Sequence, residues 1–242
     1  MTIEAHHLDV AGIRVEVVRK DIKNLHLGVY PPVGRVRVAA PLVLTDEAVR
    51  LAIIDKLGWI KRQQLRFAEQ PRQSVREMVS GETHYVFGQP CRLQIHIQNE
   101  PPKVMLRGND WLDLCVRPDT DARRRESILL DWYRERLRER IPPLLDRWQA
   151  ALGVEASEWR IKKMKTRWGS CSIAVRRIWL NLELAKKPPQ CLEYILVHEL
   201  AHLLERHHNE RFIALLDAHL PSWRQSRDIL NQMPLGHEEW NE

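Results

Sequence analysis

The stretch Leu196-Val197-His198-Glu199-Leu200-Ala201-His202-Leu203-Leu204-Glu205-Arg206-His207-His208 decides how the rest of this chain is read. On an α-helix, residues i and i+4 stack on one face, so His198 and His202 aim their imidazoles at a common point. Glu199 lies about 100° further round the axis and borders that point. Two imidazoles with a carboxylate beside them are what zinc hydrolysis requires: ligands for the ion, and a base next to its open position. The helix is apolar nearly all round, with Leu192, Leu196, Leu200 and Leu203 on one side and Val197 and Ala201 elsewhere, so it should be buried. Buried histidines and a buried glutamate need partners, and a metal supplies them. That outweighs the plainer reading of histidines hydrogen-bonded within a core.

A hydrolytic zinc takes a third protein ligand. If the helix ran straight on, His208 would sit about 9 Å beyond His202 along the axis, too far to share an ion. The chain must therefore turn back after about Leu204. Glu205-Arg206-His207-His208-Asn209 is polar enough for a turn, and Asn209 suits the N-cap of a new helix over Glu210–Leu220. His208 stands at the third-histidine spacing of H-E-x-x-H-x-x-G-x-x-H proteases, although Glu205 occupies the place of the glycine. His208 is the expected third ligand on spacing, with His207 and His219 as alternatives and His237, in a polar tail, behind them. Met233 before Pro234 is core filler rather than the Met-turn of that class.

Upstream, Pro188 and Pro189 stand at the mouth of the histidine helix, where missing amide donors cost little. Trp159–Met164 reads as a strand, then Thr166-Arg167-Trp168-Gly169-Ser170-Cys171-Ser172, then a second strand over Ile178–Leu184. If that second strand edges the cleft, a peptide could add to it along Trp179, Leu180 and Asn181. Cys171, with Lys165 and Arg167 near in sequence, allows a nucleophilic-thiol reading. A glycine-containing turn between strands explains the segment more simply.

Asp119 or Asp121 opens a helix to about Leu152, striped by Ile128, Leu129, Trp132, Leu137 and Ile141. Pro142-Pro143 should break or kink it, and Gly153 should stop it. Its many arginines alternate with Glu126, Asp131, Glu135 and Glu139, which favours ion pairs within the helix over a phosphate track.

Residues 1–44 alternate apolar and charged at Ile13–Val17 and Arg35–Val38, as half-buried strands do. Pro31-Pro32-Val33-Gly34 turns Leu25–Tyr30 back into a hairpin. Thr45 caps a helix to about Phe67 that buries Val49, Ile53, Leu57, Ile60 and Trp59. Four more strands follow, at Thr83–Phe87, Cys91–Ile97, Val104–Leu106 and Trp111–Val116.

The chain has 242 residues, a net charge of +6, 44% hydrophobic and 29% charged residues. No apolar run approaches the ~20 residues that cross a bilayer, and residues 1–20 carry no signal-peptide pattern. Cys91, Cys115, Cys171 and Cys191 are scattered and read as reduced thiols, which points to the cytoplasm and away from a membrane. Nucleic acid as a partner has no support beyond the net positive charge.

Arg167-Trp168-Gly169-Ser170-Cys171-Ser172, Leu180-Asn181, Pro188-Pro189, Tyr194, Val197-His198-Glu199-Leu200-Ala201-His202 and His208 with Phe212 together resemble the YgjP-like metallopeptidases, relatives of the SprT-type zinc proteases. Ala40-Pro41, Trp59-Ile60 and Gly88-Gln89-Pro90 look like the same family, so the resemblance spans nearly the whole chain. It implies zinc held by His198, His202 and His208, Glu199 as general base, and a minimal gluzincin-like core with a strand platform over the histidine helix. SprT-type relatives act on DNA-associated proteins, but the cysteine zinc ribbon that some of them carry is absent here, so that role does not transfer.

The resulting expectation is an α+β protein with a β-rich region over 1–118 and a helical connector plus zinc-hydrolase core over 119–242, packed as one unit. The expected activity is zinc-dependent hydrolysis of peptide or protein substrates. The alternative is a zinc-stabilised nucleic-acid or protein-interaction module with little turnover, whose activity would survive loss of Glu199.

Overall fold

A computed structural model of the chain describes residues 5–30, 34–69, 76–164 and 167–232. Pro31, Pro32, Val33, Lys165, Thr166, Met233 and His237, each named above, lie outside the described residues. The fold is α+β, in two compact units that divide near residue 72. No helix among the described residues is long and apolar enough to cross a membrane.

The first unit holds β1 (Ala5–Val10), β2 (Ile13–Lys20), β3 (His26–Tyr30) and β4 (Arg35–Pro41), in the order β1-β2-β4-β3. The inner pair β2–β4 is parallel and the outer pairs are antiparallel. Val15, Val17, Val36 and Val38 point inward at period two and are fully buried. Thr45 then caps α1 (Asp46–Asp55), accepting from the Ala48 amide at 3.3 Å. The helix expected to run to Phe67 is in fact two, because the chain interrupts at Lys56 before α2 (Leu57–Glu69). Gly58, a poor helix former, sits just past the interruption. Val49, Ile53 and Ile60 are buried as expected, whereas Trp59 is 37% exposed.

The second unit repeats that topology. Strands β5 (Thr83–Val86), β6 (Gln89–Ile97), β7 (Lys103–Arg107) and β8 (Trp111–Val116) run β5-β6-β8-β7, again with a parallel inner pair. The first hairpin of each sheet turns on two residues of positive φ, Ala11-Gly12 in one and Phe87-Gly88 in the other, as a type I′ turn demands. A side-chain cap then starts a helix in both, Thr45 in the first and Asp121 in the second. The boundary expected after residue 118 falls inside this unit. Leu93, Leu112, Leu114 and Val116 share one core with the long helix that follows and with the histidine helix.

That long helix, α3 (Ala122–Leu152), is capped by the Asp121 carboxylate at 2.7 Å from the Arg124 amide and stopped by Gly153 at φ 65°. It runs unbroken through Pro142 and Pro143. The carbonyls they leave without donors belong to Arg138 and Glu139, both exposed, so water can serve them. Burial of Ile141, Leu145 and Trp148 around the prolines, about 2 kcal/mol each, offsets the lost bonds. Tyr133 joins the buried stripe and donates to the Tyr85 carbonyl at 2.8 Å. On the exposed side, Arg134, Arg136 and Arg138 pair with Asp131, Glu139 and Glu135 of the same helix.

Beyond α3 come β9 (Glu158–Lys162), β10 (Gly169–Ser172) and β11 (Arg177–Asn181), in the order β10-β11-β9. The strand expected over Ile178–Leu184 stops at Asn181, whose side chain accepts the Glu183 amide and starts a 3-10 turn over Leu182–Lys186. Helices α4 (Pro189–Ala201), α5 (Glu210–His219) and α6 (Trp223–Gln232) complete the unit.

Candidate metal centre and active site

The histidine helix α4 is fixed at its start by a backbone approach that only glycine allows. The amides of Phe87 and Gly88 donate to the carbonyls of Ala185 and Lys186 at 2.8 and 3.3 Å. A Cβ on Gly88 would lie 2.8 Å from Pro188 Cγ, so the β5–β6 turn packs directly on the residue that opens α4. Pro189 then occupies the first helical position, as expected of a residue without an amide proton. Glu193 ties the helix to α3 by accepting from Trp148 Nε1 at 3.0 Å.

The other end of α4 closes early. After Ala201 the amides of Leu203 and Leu204 bond three residues back, to Leu200 and Ala201. The chain then reverses, and the residue in the place of the glycine builds the turn by other means. Glu205 is not among the residues of positive φ, so no glycine is required there. Its carbonyl accepts from His202 Nδ1 at 3.1 Å, and its carboxylate accepts the His207 amide at 3.5 Å. Asn209 caps α5 through the Phe212 amide, as anticipated.

This turn carries His208 back over α4. Its Nε2 lies 3.1 Å from Nε2 of His198 and 3.1 Å from Nε2 of His202. Among the described residues these three form the cluster able to hold a metal ion; His207 and His219 do not join it. Phe212 supports all three rings, with centroids 4.7–5.0 Å away. Phe212 reaches the three rings only because α5 returns over α4.

The donor chemistry fits a cation. Burial, followed by the charges of His202 and His208, pushes His198 down to about 3, and burial lowers His202 as well. His198 and His202 are therefore neutral near neutral pH. A carbonyl can only accept, so the contact with Glu205 places the His202 proton on Nδ1 and leaves Nε2 a bare lone pair. Shared protons cannot satisfy three converging Nε2 atoms at once, whereas one metal ion can.

Glu199 borders the cluster, 5% exposed, its carboxyl pushed up to about 8 by burial against the opposing charge of Arg167. Strand β10 lies hard against it. A Cβ on Gly169 would come within 2.5 Å of Glu199 Oε1 and 2.8 Å of Ile195 Cγ2. A groove of about 970 Å³ opens here, walled by residues 167–174 on one side and floored by His198, Glu199 and His202.

One expectation is corrected by this arrangement, and the lesser reading of Cys171 falls with it. Trp179, Leu180 and Asn181 offer no free edge to a peptide, because β11 is paired with β10 on one side and β9 on the other. Asn181 is wholly buried instead: its amide donates to the carbonyls of Met164 (2.8 Å) and Arg167 (2.7 Å), and its oxygen accepts from the Met164 and Glu183 amides. It anchors the start of the groove wall. Cys171 does line the groove, but burial and the nearby Glu199 push its thiol up to about 11, so it is protonated and a poor nucleophile.

Residues 23–233 match the model of the YgjP-like family, metallopeptidase domain. Among solved structures, the zymogen of the metallopeptidase abylysin from Pyrococcus abyssi is similar at 26% identity, over 36% of this chain and 85% of its own, with a TM-score of 0.33. The zymogen of jannalysin from Methanocaldococcus jannaschii is similar at 22% identity, over 38% of this chain and 94% of its own, with a TM-score of 0.35. No curated protein matches. The chain belongs to the YgjP-like metallopeptidase family.

Proposed function

We propose that this member of the YgjP-like metallopeptidase family is a zinc-dependent peptidase in which His198, His202 and His208 hold the ion and Glu199 is the general base. The observation that carries the reading is the convergence of three imidazole Nε2 atoms, that of His208 3.1 Å from each of the other two, beside the buried Glu199 in an open groove. Zinc held there supplies a Lewis acid for the scissile carbonyl and lowers the pKa of water toward ~7.

The chain's own groups do the rest. Glu205, through its carbonyl, fixes the tautomer and plane of the His202 ring. Gly169 lets β10 approach closely enough to hold the Glu199 carboxylate at the groove floor. Glu199 acts in its ionised form, which a cation held by the neighbouring histidines would favour against burial. It takes the proton of the attacking water and delivers it to the departing amine, so the proton lost by the nucleophile is the one gained by the leaving group. Among the described residues β10 is paired only through β11, so its other side is where a substrate strand adds, in place of the edge expected at β11. Peptides or proteins are thus the substrates, and the four unpaired thiols suit a reducing cytoplasm.

Cleavage of a mixed peptide library by the parent and by Glu199→Gln tests the reading. Turnover by the parent and a loss of at least about a hundredfold in the variant are expected, the range in which general-base catalysis contributes. Equal turnover by the two proteins refutes the role of Glu199.

A further inference from the structure

The groove carries two charged side chains with no assigned part in hydrolysis beyond the effect of the Arg167 charge on Glu199. Arg167 enters it just before β10, and Arg206 enters from the turn after α4. Both are exposed, and no ion pair holds either of them among the described residues. Glu205, the acid beside Arg206 in sequence, faces Arg211 at 4.0 Å. Elsewhere in this unit some exposed arginines are paired, Arg147 with Glu193, Arg160 with Glu158 and Arg224 with Asp217. Arg92, Arg117, Arg123 and Arg124 are exposed without an ion pair among the described residues, but they line no part of this groove.

Position distinguishes the two further. The Arg167 carbonyl is held by Asn181 Nδ2 at 2.7 Å, so this guanidinium springs from an anchored backbone. Among the described residues Glu199 is the one carboxylate lining the groove, and it is buried. The remaining lining includes Ile173 and Leu204, 39% and 47% exposed, which would favour the apolar part of a peptide. A groove whose exposed charges among the described residues are two guanidinium forks matches carboxylates in geometry as well as sign.

We propose that this groove selects peptides bearing a carboxylate near the scissile bond, with Arg167 and Arg206 as the residues that recognise it. The carboxylate is either an acidic side chain or the free C-terminus of the substrate. The proposal rests on the peptidase reading for the word substrate, but its test reads binding separately from turnover.

Fluorescent peptides built on one neutral sequence, carrying Glu, Gln or Lys at each position in turn, are titrated against Glu199→Gln and followed by anisotropy. A second set compares a free with an amidated C-terminus, which separates the two sources of the carboxylate. An exposed charge pair contributes up to about fivefold, so the two arginines together should favour Glu over Gln by about tenfold at low salt. Added salt should shrink that ratio. Placed in the same Glu199→Gln background, Arg167→Glu and Arg206→Glu should each turn the preference toward Lys; if either fails to fold by circular dichroism, the corresponding Gln variant should abolish the preference. Indifference to the carboxylate, a preference for Lys in the protein with both arginines, or no binding of any peptide overturns the proposal. Carboxylate-selective binding without cleavage by the parent sinks the peptidase reading and leaves the recognition standing; cleavage without selectivity does the reverse.

Discussion

Gly169→Ala should damage the hydrolytic step while leaving metal binding intact. The backbone at Gly169 is not in the positive-φ region, so alanine carries no conformational penalty there. The cost is steric. The new methyl would lie 2.5 Å from Glu199 Oε1, 2.8 Å from Glu199 Cγ and 2.8 Å from Ile195 Cγ2, distances that force either β10 or the Glu199 side chain to shift. Overpacking of this kind costs about 1–3 kcal/mol of stability. At about 2–4 °C per kcal/mol for a unit of this size, the melting temperature should fall by roughly 2–12 °C. Moving a catalytic group by about 1 Å costs on the order of a hundredfold in rate. The expected result is normal zinc content, a modest fall in melting temperature, and kcat down about a hundredfold with little change in KM. A cycle with Glu199→Gln isolates the cause: once the carboxylate is gone, adding Gly169→Ala should lower the residual rate little. Full kcat in Gly169→Ala, or an equal loss in the Glu199→Gln background, refutes the reasoning that Gly169 acts by placing Glu199.

Other consequences can be checked independently. Asn181→Ala removes four hydrogen bonds and takes their partner from backbone groups of Met164, Arg167 and Glu183. It should cost about 2–4 kcal/mol in urea unfolding and speed amide exchange along β10. Gly88→Ala and Gly12→Ala both place alanine at positive φ, worth about 1–2 kcal/mol, but only Gly88 also meets Pro188, and Gly12 has nothing within 4 Å. Gly88→Ala should therefore be clearly the more destabilising in thermal melts. His84 is buried and pushed down from 6.5 to about 4, chiefly by burial and then by Arg76, against the opposing effect of Glu82. Its unfolded form takes up a proton first as pH falls through 6.5, so stability is lost between about 6.5 and 4, on the order of 2 kcal/mol by pH 5. His84→Gln should flatten that slope, measured as unfolding free energy at pH 7 and 5.

What could be read from the residues was local in origin. The pair His198 and His202 is a statement about one turn of helix, and the caps at Thr45, Asp121 and Asn209 depend on neighbours three residues away. The strands of the second sheet stand out because alternation and turn residues mark them within a few positions. The elements that resisted depend on distant partners. Whether β11 is an edge depends on where β9 and β10 pair, and Trp179, Leu180 and Asn181 carry no sign of it. Pro142 and Pro143 read as a break because the compensating burial of Ile141, Leu145 and Trp148 comes from elements elsewhere in the chain. Trp59 lies on the same helix as Ile60 but is not turned into the core. The third histidine was intermediate: spacing favoured His208, but its place beside His198 required a turn that Glu205 builds without the glycine of the better-known pattern. The repeated sheet topology left no shared motif to notice, only two type I′ turns of different sequence.

The zinc stoichiometry of the purified protein and of two neighbouring histidine variants tests the central claim most directly. By elemental analysis after dialysis against zinc-replete buffer, the parent and His207→Ala should each retain one zinc per chain, and His208→Ala should lose it. A parent that binds no zinc, or loss in His207→Ala with retention in His208→Ala, would contradict a centre built from His198, His202 and His208.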